Sequence, residues 1–339
     1  MREPAFWHRP PFLLARLLSP LGAIYGQITA GRMHQTGFET GVPVICVGNY
    51  HLGGAGKTPT TLALVALLRQ LGERPVVLSR GYGGRLHGPI VVDPQRHSAA
   101  DVGDEPLMMA RRVPVVIARD RTDGAALARA QGAGVIVMDD GFQNPALVKH
   151  LSLIVIDSRR GVGNGSVFPA GPLRAPLQLQ IERTDALIII GDGDAADAVA
   201  AKIAARGGPV LRARLCPDEA AVAALAGCRA LAFAGIGDPA RFFATLRHAG
   251  IEVVEERAFA DHHPFSAAEL ARLDEDARRG GLTLVTTEKD LARIGEAASK
   301  LISRIAPLPV TLEIEDAAPL RTLLLERINQ VHARRSGAR

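Results

Sequence analysis

Aromatic side chains are scarce in this chain of 339 residues: one tryptophan, three tyrosines and ten phenylalanines, 4% in all. Its cores must therefore be built from Ala, Val, Leu and Ile, while 35 glycines mark many tight turns. Nucleic acid is disfavoured as a partner, because no aromatic stacking residues are interleaved with the basic ones. Cysteine is nearly absent. Cys46, Cys216 and Cys228 are scattered among mostly apolar neighbours, which suggests neither a disulfide framework nor a metal cluster and points to a reducing compartment. No secretory leader is expected: Pro4, Pro10 and Pro11 interrupt the start, and no small-residue cleavage site follows a clean apolar stretch. Long apolar runs are missing too. The longest uncharged stretch near the N-terminus is about fifteen residues and holds Pro20, Gly22 and Gly26, too short and broken to span a bilayer.

What is present is 47% hydrophobic residues, enough for one large domain or a large and a small one. The formal charge of +5, carried by arginine more than lysine, suits an anionic partner such as a phosphorylated substrate or lipid headgroups. No particular protein partner is indicated.

The strongest local signal runs from Val47 to Thr60. Pro43–Val47 reads as a buried parallel strand, and residues 61–69 as a helix. Between them, Asn49, Gly53, Gly54, Ala55, Gly56, Lys57, Thr58 and Pro59 form a glycine-rich turn of the kind that holds nucleotide phosphates. Backbone N–H groups would wrap the β-phosphate, the Lys57 ammonium reach the β/γ oxygens, and the Thr58 hydroxyl ligate Mg²⁺. His51 stands where the general pattern has its first glycine. Pro59 is compatible with the first helical turn, where its missing N–H had no partner.

Residues 1–37 form a basic segment with apolar residues at helical spacing: Phe6-Trp7, Phe12-Leu13-Leu14, Leu17-Leu18, Leu21, Ile24-Tyr25 and Ile28, beside Arg2, Arg9, Arg16 and Arg32. Such a segment either lies in a membrane interface, with Trp7 at its edge, or packs as a helix on the body of the protein.

Beyond the loop, strand-like runs at 74–79, 89–92, 113–118, 134–138, 151–156 and 186–190 alternate with helical stretches. The fold class is α/β: a P-loop NTPase-like, mainly parallel sheet covered by helices, with a second, smaller α/β domain. Ligands in such sheets sit beyond the carboxyl ends of the strands, which selects Arg80, Arg119-Asp120, Asp139-Asp140 and Asp157. Asp139 and Asp140 end a hydrophobic strand, as an acid presented to Mg²⁺ would. One can hold the metal while its neighbour orients a water, an arginine or the substrate. Asp104 and Glu105 open a helix, where they serve either as cap and first-turn charge or, for Asp104, as acceptor of an attacking hydroxyl's proton. Arg174, in a Pro/Gly-rich loop, either meets a phosphate or is solvated.

The domain division is expected at 38–208 for the phosphate-loop core and 209–315 for the smaller unit. In the latter, 209–215 pairs with 309–314 as a hinge, and 316–335 is a helix returning to the core. Asp261-His262-His263 is the one dense histidine cluster; it lacks further zinc ligands at suitable spacing, so its imidazoles are either oriented by the carboxylate or fixed within the loop. Thr286-Thr287-Glu288-Lys289-Asp290 reads as a helix cap.

In this order, these motifs resemble the tetraacyldisaccharide 4'-kinase family of the lipid A pathway of Gram-negative bacteria. The resemblance rests on Val47–Asn49 with Gly53–Pro59, Leu78–Gly83, Gly103–Pro106, Asp139–Gln143, Pro169–Arg174, Asp261–His263 and Thr287–Asp290. It implies transfer of the ATP γ-phosphate to the 4'-hydroxyl of an acylated glucosamine disaccharide 1-phosphate, giving lipid IVA. It also implies two α/β domains about the nucleotide cleft and peripheral attachment through the N-terminal segment to the cytoplasmic face of the inner membrane. By family position, Lys57 and Thr58 serve ATP and Mg²⁺, Asp104 is the base, His262 assists it, and Asp139 and Asp140 serve the metal and the site's geometry. Glu105 and Arg174 belong to the same polar site. Ala175 stands where the family usually has Glu, so any acidic role there falls to Asp139, Asp140 or Glu105. The rivals to this reading are a phosphotransferase or ATP-dependent ligase on a soluble acceptor, and a nucleotide-switched membrane adaptor without catalysis.

Overall fold

A computed structural model describes residues 4–8, 13–295 and 301–337. Arg2, Arg9, Pro10, Pro11 and Phe12 of the N-terminal segment lie outside the described residues. The Val, Ile and Leu runs assemble into a nine-stranded sheet whose order is β13-β8-β7-β6-β1-β5-β2-β4-β3. Its centre is β1 (Val44–Gly48), flanked by β5 (Val135–Asp139) and β6 (Leu151–Asp157), both parallel to it. Outward on one side lie β2 (Pro75–Ser79), β4 (Val115–Ile117) and the short β3 (Ile90–Val91). On the other lie β7 (Ala186–Ile190), β8 (Val210–Pro217) and β13 (Val310–Ile314). Only the two edge strands run antiparallel to their neighbours. β1, β2, β5, β6 and β7 are buried along their whole length, as expected of a parallel sheet covered on both faces.

Two apolar layers sandwich this sheet. One includes Leu64, Val65 and Leu68 of α2 (Lys57–Gln70) and Leu320, Leu324 and Ile328 of α12 (Ala318–Gly337). The opposite layer takes in Ala125 and Ala128 of α5 (Arg121–Ala130), Ile181 of α6 (Leu177–Glu182) and Val199 of α7 (Asp197–Ala204). Asp120 caps α5, accepting the N–H groups of Thr122 and Asp123, so that strand-end acid is a structural one.

A second sheet, ordered β10-β9-β11-β12, is wholly parallel. It comprises β9 (Arg229–Ala234), β10 (Glu252–Ala258), β11 (Thr283–Thr287) and β12 (Ile305–Leu308). The helices α8 (Glu219–Ala224), α9 (Pro239–His248), α10 (Ala267–Gly280) and α11 (Glu288–Ile294) belong to the same stretch of chain. Strands β8 and β13, which lead into and out of it, pair antiparallel from Ala213↔Ile314 to Pro217↔Val310 and form the edge of the large sheet.

The N-terminal helix α1 (Leu13–Met33) turns small residues inward: Ala15, Gly22 and Gly26 are buried. A Cβ on Gly22 would stand 2.8 Å from the Val167 carbonyl oxygen, so glycine permits the close approach. Its large side chains face out, with Leu13 and Leu17 each 69% exposed and Ile28 62%. Trp7 does not join that exposed face. Its indole N–H donates to the Pro169 carbonyl (3.1 Å), and its ring meets Phe168 edge-on, which buries it. No helix among the described residues is long and apolar enough to cross a membrane.

Candidate active site

The loop after β1 is shaped by glycines. Gly53 and Gly56 have φ of 99° and 86°, and a Cβ on Gly56 would come within 2.5 Å of the Ile190 Cδ1. Gly56 precedes the first residue of α2, so Lys57 and Thr58 occupy the helix N-terminus, where N–H groups lack intrahelical partners. Further N–H···O bonds fasten the loop to the Pro/Gly-rich segment: Leu52 N–H donates to the Pro172 carbonyl (2.8 Å) and Arg174 N–H to the Tyr50 carbonyl (2.9 Å). That pairing delivers the Arg174 side chain. Its Nη1 and Nη2 donate to Asp140 Oδ1 (2.8 Å) and Oδ2 (3.1 Å), while Nε donates to the His51 carbonyl (3.1 Å).

Asp139 and Asp140 point different ways, as neighbours at a strand end do, and Asp140 leaves the strand with φ of 49°. Lys57 Nζ stands 3.7 Å from Asp140 Oδ1. Burial alone would raise Asp140, but Lys57 and Arg174 outweigh it and hold the carboxyl down to about 2. Asp139 is its opposite. Buried, it receives among the described residues only the long hydroxyl contacts of Thr61 (3.3 Å) and Ser79 (3.4 Å). Burial first, then the charges of Glu105 and Asp140, push it up to about 7.

The other half of the site joins the two sheets. Gly103, not Asp104, caps α4 (Asp104–Ala110); Asp104 and Glu105 fill its first turn, where the helix dipole favours them. Asp104 is buried, and its Oδ2 receives His262 Nδ1 (3.1 Å), Arg293 Nε (3.1 Å) and Arg293 Nη2. Desolvation is again outweighed: His262, Lys289 and Arg293 hold Asp104 well below the ordinary carboxylate range. Glu105 pairs with Lys289 (3.0 Å), whose ammonium also lies 3.4 Å from His262 Nε2. Burial tends to lower Lys289, yet Glu105, Asp104 and Asp261 raise it overall.

His262 reaches Asp104 from a turn with φ of 57°, and Tyr82 lies against its ring at 5.8 Å. Gly237, after β9, faces both Asp261 and the phosphate loop: a Cβ there would be 3.6 Å from Asp261 Oδ2 and 3.9 Å from the Gly54 nitrogen. Thr287 caps α11 by accepting the Asp290 N–H, as the cap reading required. The same helix also sends Lys289 and Arg293 across to α4, which that reading missed. The available signal was their spacing: two cations four residues apart share one helix face. Asp157 likewise crosses between sheets, accepting Arg241 Nη1 at 2.5 Å. Ala175 is wholly buried and brings no charge to the site. Among the described residues, no three His, Cys, Asp or Glu side chains are grouped as metal ligands. A cavity of about 460 Å³ lies behind α2, against β13 and α12, rather than at the loop.

The family profile for Tetraacyldisaccharide-1-P 4'-kinase matches residues 14–329, most of the chain. This chain belongs to that family. The 4'-kinase of Rhodopseudomonas palustris (strain BisB5) is 76% identical over 334 residues, covering 98% of this chain and 99% of the relative. That of Bradyrhizobium diazoefficiens is 64% identical over the full length of both. In three dimensions, the crystal structure of LpxK from Aquifex aeolicus in complex with ATP superposes with a TM-score of 0.71 at 27% identity, covering 93% of this chain and all of that one. Membership makes the chain an ATP-dependent phosphotransferase of α/β fold, with a mostly parallel sheet and a smaller α/β unit.

Proposed function

We propose that the groups around Lys57 and Asp104 form one phosphoryl-transfer site. Through it the chain moves the γ-phosphate of ATP to the 4'-hydroxyl of tetraacyldisaccharide 1-phosphate, giving ADP and lipid IVA. The observation that carries this reading is a pair of linked charge systems: Lys57 resting on Asp140 at the phosphate loop, and Asp104 held by His262 from the smaller unit, with the charge of Glu105 acting on Asp139. Asn49, Gly53, Gly54, Ala55, Gly56 and Pro59 shape the loop, and backbone N–H groups there cradle the phosphates. Lys57 exchanges Asp140 for the β/γ oxygens, where its charge stabilises the transferring group. Arg174 keeps Asp140 oriented as it does so.

Thr58, Asp139 and Asp140 fit magnesium. They supply the hard oxygen donors that the ion prefers, and the raised Asp139 carboxyl is one that a nearby dication would ionise. When bound, the ion neutralises charge shared between the β- and γ-phosphates. Asp104, steadied by His262, takes the proton of the 4'-hydroxyl as its oxygen bonds to phosphorus and the bond to the β-phosphate oxygen breaks. Glu105, tied to Lys289, keeps the approach to this pair polar.

For the lipid, the outward Leu13, Leu14, Leu17, Leu21, Ile24 and Ile28 of α1, with exposed Arg16 and Arg32, form a face suited to an anionic membrane surface. Family resemblance is the support for reading that surface as the cytoplasmic face of the inner membrane. Residues 209–315 act as a lid over the core residues 38–208, hinged at β8 and β13, with 316–335 anchoring the return. The test is incubation of the purified protein with Mg-ATP and acylated disaccharide 1-phosphate in detergent. A product heavier by one phosphoryl group is expected. Phosphorylation of a soluble acceptor instead, or ATP hydrolysis with no phosphorylated acceptor, would overturn the reading.

A further inference from the structure

We infer that Arg293 is the positioning residue for Asp104: from α11 of the smaller unit it fixes the orientation of a carboxylate that belongs to the core. The inference rests on reading Asp104 as acceptor of the hydroxyl's proton. Arg293 is built into a socket. Its Nη1 donates to Asp290 Oδ1 (2.8 Å) and to the Gly235 carbonyl (3.1 Å), which leaves Nε and Nη2 aimed at Asp104 Oδ2. Asp290 is fully buried and is itself held by the Thr287 hydroxyl (2.8 Å) and the Gly235 N–H (3.0 Å). Arg293 is only 10% exposed at its side chain and Asp104 5%, so solvent screens this pair little.

The consequence follows from counting acceptor positions. Oδ2 of Asp104 takes both guanidinium contacts and His262 Nδ1, so it has nothing left for a substrate. Oδ1 takes the Glu105 N–H (2.9 Å) and keeps one position open. Arg293 thereby dictates which face of the carboxylate meets the acceptor hydroxyl. A lysine at 293 would keep the charge but not the planar fork that holds Asp104 and Asp290 together. The other charged groups facing Asp104 are Lys289 and His262 from the smaller unit and, beyond them, Glu105 and Asp261. Lys289 and Arg293, one helical turn apart, thus address the consecutive acids Glu105 and Asp104 of α4.

The test measures kcat, the KM for ATP and the pH profile of kcat for Arg293→Lys, Arg293→Gln and, as control, Asp104→Asn. Arg293→Lys is expected to lower kcat about tenfold or more and Arg293→Gln about a hundredfold or more, with the KM for ATP nearly unchanged. Removing the guanidinium makes Asp104 easier to protonate. The acid limb of the Arg293→Gln profile therefore moves to higher pH, a shift that a merely structural contact does not produce. Should the glutamine variant fail to fold, the lysine variant decides through kcat and its split from KM. Wild-type kcat in a folded Arg293 variant while Asp104→Asn is inactive overturns the inference alone. So does a loss of kcat matched by an equal rise in KM with the acid limb unmoved. Near-normal turnover by Asp104→Asn sinks the reading of Asp104 itself, and the inference with it.

Discussion

The two acidic pairs of this site are built differently. Asp139 and Asp140 sit at the end of β5, and the groups that set their charge (Lys57, Thr61, Ser79, Glu105 and Arg174) all come from the large sheet's own unit. Asp104 and Glu105 open α4 of the same unit, yet their cationic partners Lys289 and Arg293, and His262, arrive from a stretch of chain more than 150 residues away. One pair is thus complete within its own unit. The other is made only when two units dock.

Their electrostatics differ to match. Asp139 is a buried carboxyl with weak partners and is pushed up to about 7, a group waiting for positive charge. Asp104 is nearly as buried but is saturated with cations and held well down. Burial has the same sign at both; neighbouring charge decides the outcome, anions adding to burial at Asp139 and cations outweighing it at Asp104.

Substitutions can break that comparison at several levels. The largest loss is expected from Lys57→Ala, which removes charge stabilisation from the transferring phosphate: kcat should fall roughly a thousandfold, measured by phosphate transfer to the lipid acceptor. Near-normal turnover would refute the assignment of Lys57. Asp104→Asn comes next, with kcat down about a hundredfold or more while nucleotide titration shows ATP affinity little changed. Equal losses in both would favour a folding or binding role.

The same variant sharpens the comparison through pH. Asp104 is held below its unfolded value near about 4, so its stabilising contribution is whole above that pH and is lost as the pH falls through its native value. Denaturant melts should show Asp104→Asn less stable than the parent by about 2 kcal/mol at pH 7, because the buried Arg293 keeps only Asp290 of its two carboxylate partners. The two curves should converge in acid. A constant gap down to pH 3 would mean that ionisation is not the source.

A smaller effect is expected for a second inter-unit contact, Arg241 with Asp157. Arg241 is partly solvated, so Arg241→Ala should cost about 1 kcal/mol or less and change kcat by no more than about threefold. A loss as large as that of Asp104→Asn would show that docking strength itself, rather than the particular group docked, limits the reaction.

The contrast also marks what was legible in advance. Strand, turn, Gly-Lys-Thr and helix announce themselves over fourteen residues, because the phosphate cradle is made of consecutive backbone. Asp139-Asp140 could be read likewise from the strand that ends in them. The opposite side could be read only in pieces: Asp104 and His262 were singled out separately and joined only by family resemblance. Arg293 carried no local mark beyond its four-residue spacing from Lys289, since an arginine in the last turn of a short helix usually meets solvent or the helix dipole. Trp7 was open in the same way: an indole beside arginines suits an interface or a packed segment, and the carbonyl of Pro169 with the ring of Phe168 gave it the drier of the two.

By itself the sequence determined the α/β alternation, the phosphate loop and the acids at strand ends, since apolar periodicity and glycine placement act over a few residues. Only the tertiary structure decided which cations each acid meets, and so which carboxyl is held ionised and which is not. That choice depends on charges brought together from distant parts of the chain, at distances of about 3 Å where solvent no longer screens them.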